Sequence, residues 1–268
     1  MNGVNILNIG VSTACFYPKY TEKAVNDIIN MGVDVMEIFF NSDSELCDNF
    51  INKLNFTIYN KCKVVSIHPF TSGFEPFLIF SKYDRRFEDA VIYYNKYFKA
   101  TKKLGAKIIV LHGDLANKAI NISDELYFER YKILYRCARK YGIYLAQENV
   151  NLYKSQSPKF IKEMSDYLKN EVRFVFDIKQ SVRAGFDPFD MLESMGEKLI
   201  HIHINDHDEV NDCLLPGDGK MDYKKLNSML KYFKYNNSLI IEVYRSNFDN
   251  INQIKRSVAF LKEVFCTV

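Results

Sequence analysis

Short apolar runs alternate along this chain with longer stretches of helical period. Eight runs stand out: Val4–Ile9, Val35–Phe40, Val64–His68, Lys107–His112, Tyr144–Val150, Val172–Ile178, Leu199–Asp206 and Ser238–Tyr244. The stretches between them carry good helix formers. In ERYKILYRCARKYG (129–142) Tyr131, Leu134, Tyr135 and Ala138 fall on one helical face, and DRRFEDAVIYYNKYFKATKKLG (84–105) follows the same period. Gly32, Gly105 and Gly142 stand between a helical stretch and the next run, where a left-handed cap hands a helix over to a strand.

Such alternation predicts a parallel sheet with helical crossovers. Eight units in 268 residues average roughly 33 residues each, the size of a strand-plus-helix repeat. The expected fold is therefore an α/β, (β/α)8 TIM barrel, one domain over residues 1–268. An open doubly wound sheet is the alternative. No GxGxxG follows the first run, which weakens the dinucleotide-binding form of that alternative.

Composition narrows the partners. The 36 basic and 33 acidic residues leave a formal charge of +3, and no run of five or six like charges occurs. Neither a nucleic-acid arm nor a polybasic membrane patch is written here. The six cysteines form no CxxC pair, which fits small buried hydrophobes in a reducing compartment. No secretory leader pattern opens the chain and no 18-residue apolar stretch occurs, so a cytoplasmic protein without membrane contact is expected.

The stretch LIHIHINDHDEVNDCLLPGDGK (199–220) holds three of the five histidines, His201, His203 and His207. His201 and His203 alternate with isoleucines, so both face one side of a strand. Two residues of strand rise separate them by about 6.6 Å, too far for both to bind one ion comfortably. At most one is a ligand, and the stretch alone does not say which.

Six further groups stand near the ends of other runs: Glu37, His68, His112, Glu148, Asp177 and Glu242. Barrel enzymes build their sites at that rim. Each residue alone has an ordinary explanation, since buried histidines are usually hydrogen-bonded core residues and strand-end carboxylates often cap the next helix. Together they outweigh it. Glu148, Asp177, His203 and Glu242 lie on four successive runs and bring three negative charges around one point, which is costly without a cation. Zinc, manganese or a similar divalent ion suits that donor set.

In this order the motifs resemble the xylose-isomerase-like barrel superfamily, which holds sugar-phosphate isomerases and epimerases together with family 2 apurinic/apyrimidinic endonucleases. The resemblance runs from Glu37 to IEVYR at 241–245. It implies that Glu148, Asp177, His203 and Glu242 ligate a shared metal, with His201 one layer deeper. It matches His68 and His112 to the pair that holds a second metal in the endonuclease branch. That branch's third-metal ligands are changed together, to Gln180, Asn211 and Cys213, so a three-metal phosphodiesterase is not expected. Glu209 stands where the ketose epimerases carry an arginine.

The resemblance implies a metal-dependent isomerase or epimerase of a small sugar, sugar phosphate or related polyhydroxy carbonyl compound. Glu148 and Glu242 would move the proton and the metal would stabilise the enediolate. The alternative is an endonuclease IV-like phosphodiesterase using His68 and His112 for a second ion; a barrel that binds without turnover is a third. A carbohydrate-like small molecule is the expected partner rather than nucleic acid or membrane, with a homo-oligomer left open. Glu37, Gln180, Arg183 and Arg245 are the candidate substrate contacts. Arg183, Lys179, Lys220 and Arg245 read as contacts to a substrate phosphate or carboxylate or at least equally as solvated charges, Gly217-Asp218-Gly219 as an anion-binding turn or a plain loop, and Phe16 and Tyr17 as pocket wall or packing.

Overall fold

The computed structural model describes residues 7–116 and 122–266. Its strands are β1 (Ile9–Ser12), β2 (Val35–Phe39), β3 (Lys63–His68), β4 (Ile108–Leu111), β5 (Tyr144–Glu148), β6 (Phe174–Asp177), β7 (Leu199–Ile204) and β8 (Leu239–Ile241). All pair in parallel in chain order, and β8 pairs with β1, so the sheet closes into a barrel. The open-sheet alternative is excluded. Around the barrel run α1 (Thr21–Met31), α2 (Asp48–Ile58), α3 (Glu75–Leu78), α4 (Asp84–Lys103), α5 (Asp124–Lys140), α6 (Pro158–Leu168), α7 (Ile178–Arg183), α8 (Pro188–Met195), α9 (Tyr223–Tyr232) and α10 (Ile251–Cys266).

The helical stripes bury as the spacing requires. α5 buries Tyr131, Leu134, Tyr135 and Ala138, and α4 buries Tyr94, Tyr97, Phe98 and Thr101. α5 starts five residues before the expected stretch because Ser123 accepts the Leu126 N–H and caps it there. Gly32, Gly105 and Gly142 all take positive φ at the helix-to-strand handover. No helix among the described residues is long and apolar enough to cross a membrane.

The first strand sits further along than expected. Val4–Ile9 is the apolar run, whereas β1 begins at Ile9, and residues 4–6 of that run lie outside the described residues. Gly10 belongs inside this strand: a Cβ there would stand 2.4 Å from the Val35 carbonyl oxygen and 2.7 Å from Ile240. The shift brings Ser12 beside Glu37 across the β1–β2 pair.

Alternation along the strands fills the barrel interior. Ile108, Val110, Ala146 and Val175 form an apolar cluster distinct from the larger core between sheet and helices. One step further toward the strand C-termini, the same inward parity places His112, Glu148 and Asp177. The polar groups thus rest on an apolar floor.

Candidate active site

Glu148 and Asp177 end β5 and β6, His203 is the next-to-last residue of β7, and Glu242 directly follows β8. The strands bring their donor atoms together: each residue offers one ligand atom, and the four atoms lie within 4.8 Å of one another. His203 Nδ1 faces the carboxylates, 3.0 Å from Glu148 Oε1, 3.3 Å from Glu242 Oε2 and 3.8 Å from Asp177 Oδ2. Glu148 Oε2 is buried 3.0 Å from His112 Nε2, in a geometry that makes no hydrogen bond. Three carboxylates, one imidazole nitrogen and a buried acceptor short of a donor make a set that could hold a divalent cation.

A layer of support lies beneath. Glu37 is fully buried, and its Oε2 accepts from Ser66 Oγ at 2.7 Å, His201 Nε2 at 3.0 Å and His203 Nε2 at 3.1 Å. Its Oε1 accepts from Ser12 Oγ at 3.0 Å. A carboxylate has no proton to give, so both imidazole Nε2 atoms donate to it. Nδ1 of His203 is thereby the atom turned to the other carboxylates. Asn205 Nδ2 donates to Asp177 Oδ1 at 3.0 Å, and Asn149 clasps the Asp177 backbone through its N–H and C=O.

Lys179 completes the charge pattern. Its Nζ is buried, donates to Glu242 Oε2 at 2.8 Å and also contacts Asp177 Oδ2. Burial works against the ammonium, but the charges of Asp177, Glu242 and Glu148 outweigh it and hold Lys179 well above the usual lysine range. The carboxylates respond in kind. Burial alone would raise them, yet His203 first, with His201 at Glu37 and His112 at Glu148, keeps Glu37 and Glu148 well below the ordinary carboxylate range. For Glu242, His203 and then Lys179 overcome burial in the same direction. His203 itself is held well above the imidazole range by Glu242, Glu37 and Glu148 against its burial.

His68 and His112 meet beside this group, with Nε2 atoms 3.0 Å apart. Together with Glu148 they form a second set of donor atoms within 4.8 Å of one another. Above them lies a cavity of about 770 Å³ walled by Tyr17, Phe39, Phe70, Tyr153, Arg183 and Tyr244, with His68, His112, Glu148, Lys179 and Glu242 reaching it.

The sequence profile of the family described as "Xylose isomerase-like TIM barrel" matches residues 25–264. The chain belongs to that family. Among curated relatives, an uncharacterised protein of Mycobacterium tuberculosis is 22% identical over 276 residues, covering 94% of both chains. One from Mycobacterium leprae is 22% identical over 264 residues, covering 90% of both. Similar solved folds include the D-psicose 3-epimerase of Clostridium cellulolyticum H10, with a TM-score of 0.78 at 16% identity over 97% of this chain and 99% of that one. The 3-keto-D-glucoside 4-epimerase of E. coli has a TM-score of 0.77 at 19% identity over 96% and 99%.

Within this xylose isomerase-like barrel the expected substrate contacts divide. Arg183 and Gln180 line the cavity. Arg183 grips Asp212 with two hydrogen bonds of 2.7 and 2.8 Å and also contacts the Tyr244 hydroxyl, while Gln180 Oε1 accepts the Asn151 N–H at 3.1 Å. Glu37 and Arg245 need correction. Glu37 sits two residues short of the end of β2, one layer below the cavity, with both oxygens engaged. Arg245 is exposed, donates to the Phe248 carbonyl and stacks 4.7 Å over the Phe248 ring, away from the cavity wall.

Other rim residues also resolve. Lys220 pairs with Glu209 on the surface. The Gly217 amide is spent on Asp206 Oδ2 at 3.0 Å, and Asp218 holds Arg256, so that turn is structural. Phe16 packs against Phe248, whereas Tyr17 lines the cavity. Asn211 turns to Asp208 on an exposed loop and Cys213 is buried. Sequence reasoning missed the depth of Lys179 and the roles of Asn149 and Asn205. The asparagines were readable: Asn205 stands two residues after His203, on the same strand face.

Proposed function

We propose that this protein is a divalent-metal-dependent isomerase or epimerase of a small sugar or related polyhydroxy carbonyl compound. The convergence of Glu148, Asp177, His203 and Glu242 beneath a cavity of about 770 Å³ whose base holds Glu148 and Glu242 carries the reading. Similar folds named as sugar epimerases support the substrate class. A cation held by these four residues would supply Lewis-acid polarisation of a carbonyl and its neighbouring hydroxyl.

The chain's own groups do the rest. Glu148 and Glu242 enter from β5 and β8, separated by two strands, so they approach a bound substrate from different directions. Both are kept ionised, by His203 above all, and an ionised carboxylate can take the proton from a carbon beside a carbonyl. For epimerisation the opposite glutamate first takes up a proton from solvent and delivers it to the other face of the carbon; for isomerisation the glutamate that removed the proton returns it at the neighbouring carbon. Aromatic side chains at Phe39, Phe70 and Tyr153 line the cavity, where they offer apolar surface to the faces of a sugar ring.

Incubation with a panel of keto-sugars and their phosphates in heavy water tests this directly. Mass spectrometry should show deuterium entering one C–H position, and metal-replete Glu242→Gln should bind the same sugar without exchange. No uptake across the panel removes the proposal. The His68–His112–Glu148 cluster favours one second reading, a two-metal phosphodiesterase. Metal-dependent cleavage of abasic DNA would promote it.

A further inference from the structure

The lysine amid the carboxylates has a consequence for the metal. Lys179 is the second residue of α7, which starts without a loop directly after Asp177. The oxygens it touches, Asp177 Oδ2 and Glu242 Oε2, are the ones that face His203 Nδ1. Asp177 cannot offer its other oxygen freely, because Oδ1 already accepts from Asn205. An ion coordinated by His203 and the ammonium of Lys179 therefore draw on the same two oxygens. Two cations sharing those oxygens repel each other across a few ångströms of buried, poorly screened space.

We infer that Lys179 is an internal counter-ion that competes with the metal, holding Asp177 and Glu242 in the metal-free protein and withdrawing when the ion binds. The inference rests on the metal reading of the site given above. Lysine is suited to this exchange, because its charge is compact and its stem has four rotatable carbons. It has somewhere to go, since Lys179 lines the cavity beyond the carboxylates. The metal-free barrel thereby keeps a cation on two of its buried carboxylates, Asp177 and Glu242, and metal affinity is lowered by the work of expelling the ammonium.

Chelator-stripped wild type and Lys179→Met are titrated with Mn2+, following the free ion by electron paramagnetic resonance, and with Zn2+ against a chromophoric chelator. Methionine keeps the reach of the side chain and removes its charge. The expected gain in affinity is on the order of tenfold, the scale on which neighbouring residues tune metal sites. Metal-free Lys179→Met should also melt below metal-free wild type and gain more on metal addition. Lys179→Gln carries the same comparison should the methionine variant not stay folded. Affinity equal to or weaker than wild type in the neutral variant overturns the inference alone. Failure of both proteins to bind either ion overturns the metal reading and this inference with it. In crystals of metal-loaded wild type, Nζ should have left Asp177 and Glu242, and an ammonium still on both oxygens refutes the displacement.

Discussion

Replacing Glu37 by glutamine tests how far the proposed metal site depends on the layer beneath it. Glutamine is isosteric, and it can keep the hydrogen-bond pattern. Its amide oxygen can take the Oε2 place, accepting from Ser66, His201 and His203, while its nitrogen faces Ser12 Oγ, which can accept. What is lost is one buried negative charge 3.1 Å from His203 Nε2. That charge fixes the His203 tautomer and strengthens Nδ1 as a donor. Removing such a partner behind a ligating histidine costs about 10–100-fold in metal affinity, equivalent to roughly 1.4–2.7 kcal/mol. Titration of chelator-stripped Glu37→Gln with Mn2+ measures it, with Ser12→Ala as the control that leaves both imidazole contacts in place. The control should bind as wild type does. A Glu37→Gln affinity within about threefold of wild type would show that Glu37 merely fills space below the site.

Two further outcomes test the surrounding structure. Glu75 is fully buried between Tyr94 Oη and the Gly113 amide, and burial pushes its carboxyl up to about 8 from an unfolded value of 4.5. Because the folded state holds its proton over that window, wild-type stability should fall with rising pH by about 1.4 kcal/mol per unit relative to Glu75→Gln. Urea titrations of both proteins at pH 5 and pH 8 decide it, and parallel stabilities refute the assignment. Gly219 packs so tightly that a Cβ would lie 2.4 Å from the His207 carbonyl oxygen and 2.5 Å from Asp206 Oδ1. Gly219→Ala should lower stability by about 1–3 kcal/mol, read as a lower melting temperature, and an unchanged melting curve refutes the packing argument.

The barrel and its polar rim were legible because both depend on periodicity. Run lengths and glycine handovers locate eight units, and strand parity fixes which side chains enter the interior. His68, Glu148 and Asp177 end their strands, at or within two residues of the ends of the apolar runs. Reading Glu37 as a strand end in the same way misplaced it. Phe39, not Glu37, pairs with His68, and counting that register assigns Glu37 to the layer of Ser66 and His201. Arg245 was misplaced for another reason, since a charged loop residue gives no sign in sequence of whether it turns inward. Lys179 is the sharper case. A lysine just past a strand end ordinarily lies in a solvated loop, but here α7 begins at Ile178 with no loop at all. The first helical turn then carries its second residue back over the mouth of the barrel, beside the aspartate that ends the strand. A buried ammonium persists there only because two carboxylates from different strands receive it, and one of them, Glu242, is 63 residues away in sequence. Local pattern could place each of the three groups at the rim; only the pairing of β7 with both β6 and β8 brings them to one set of oxygens.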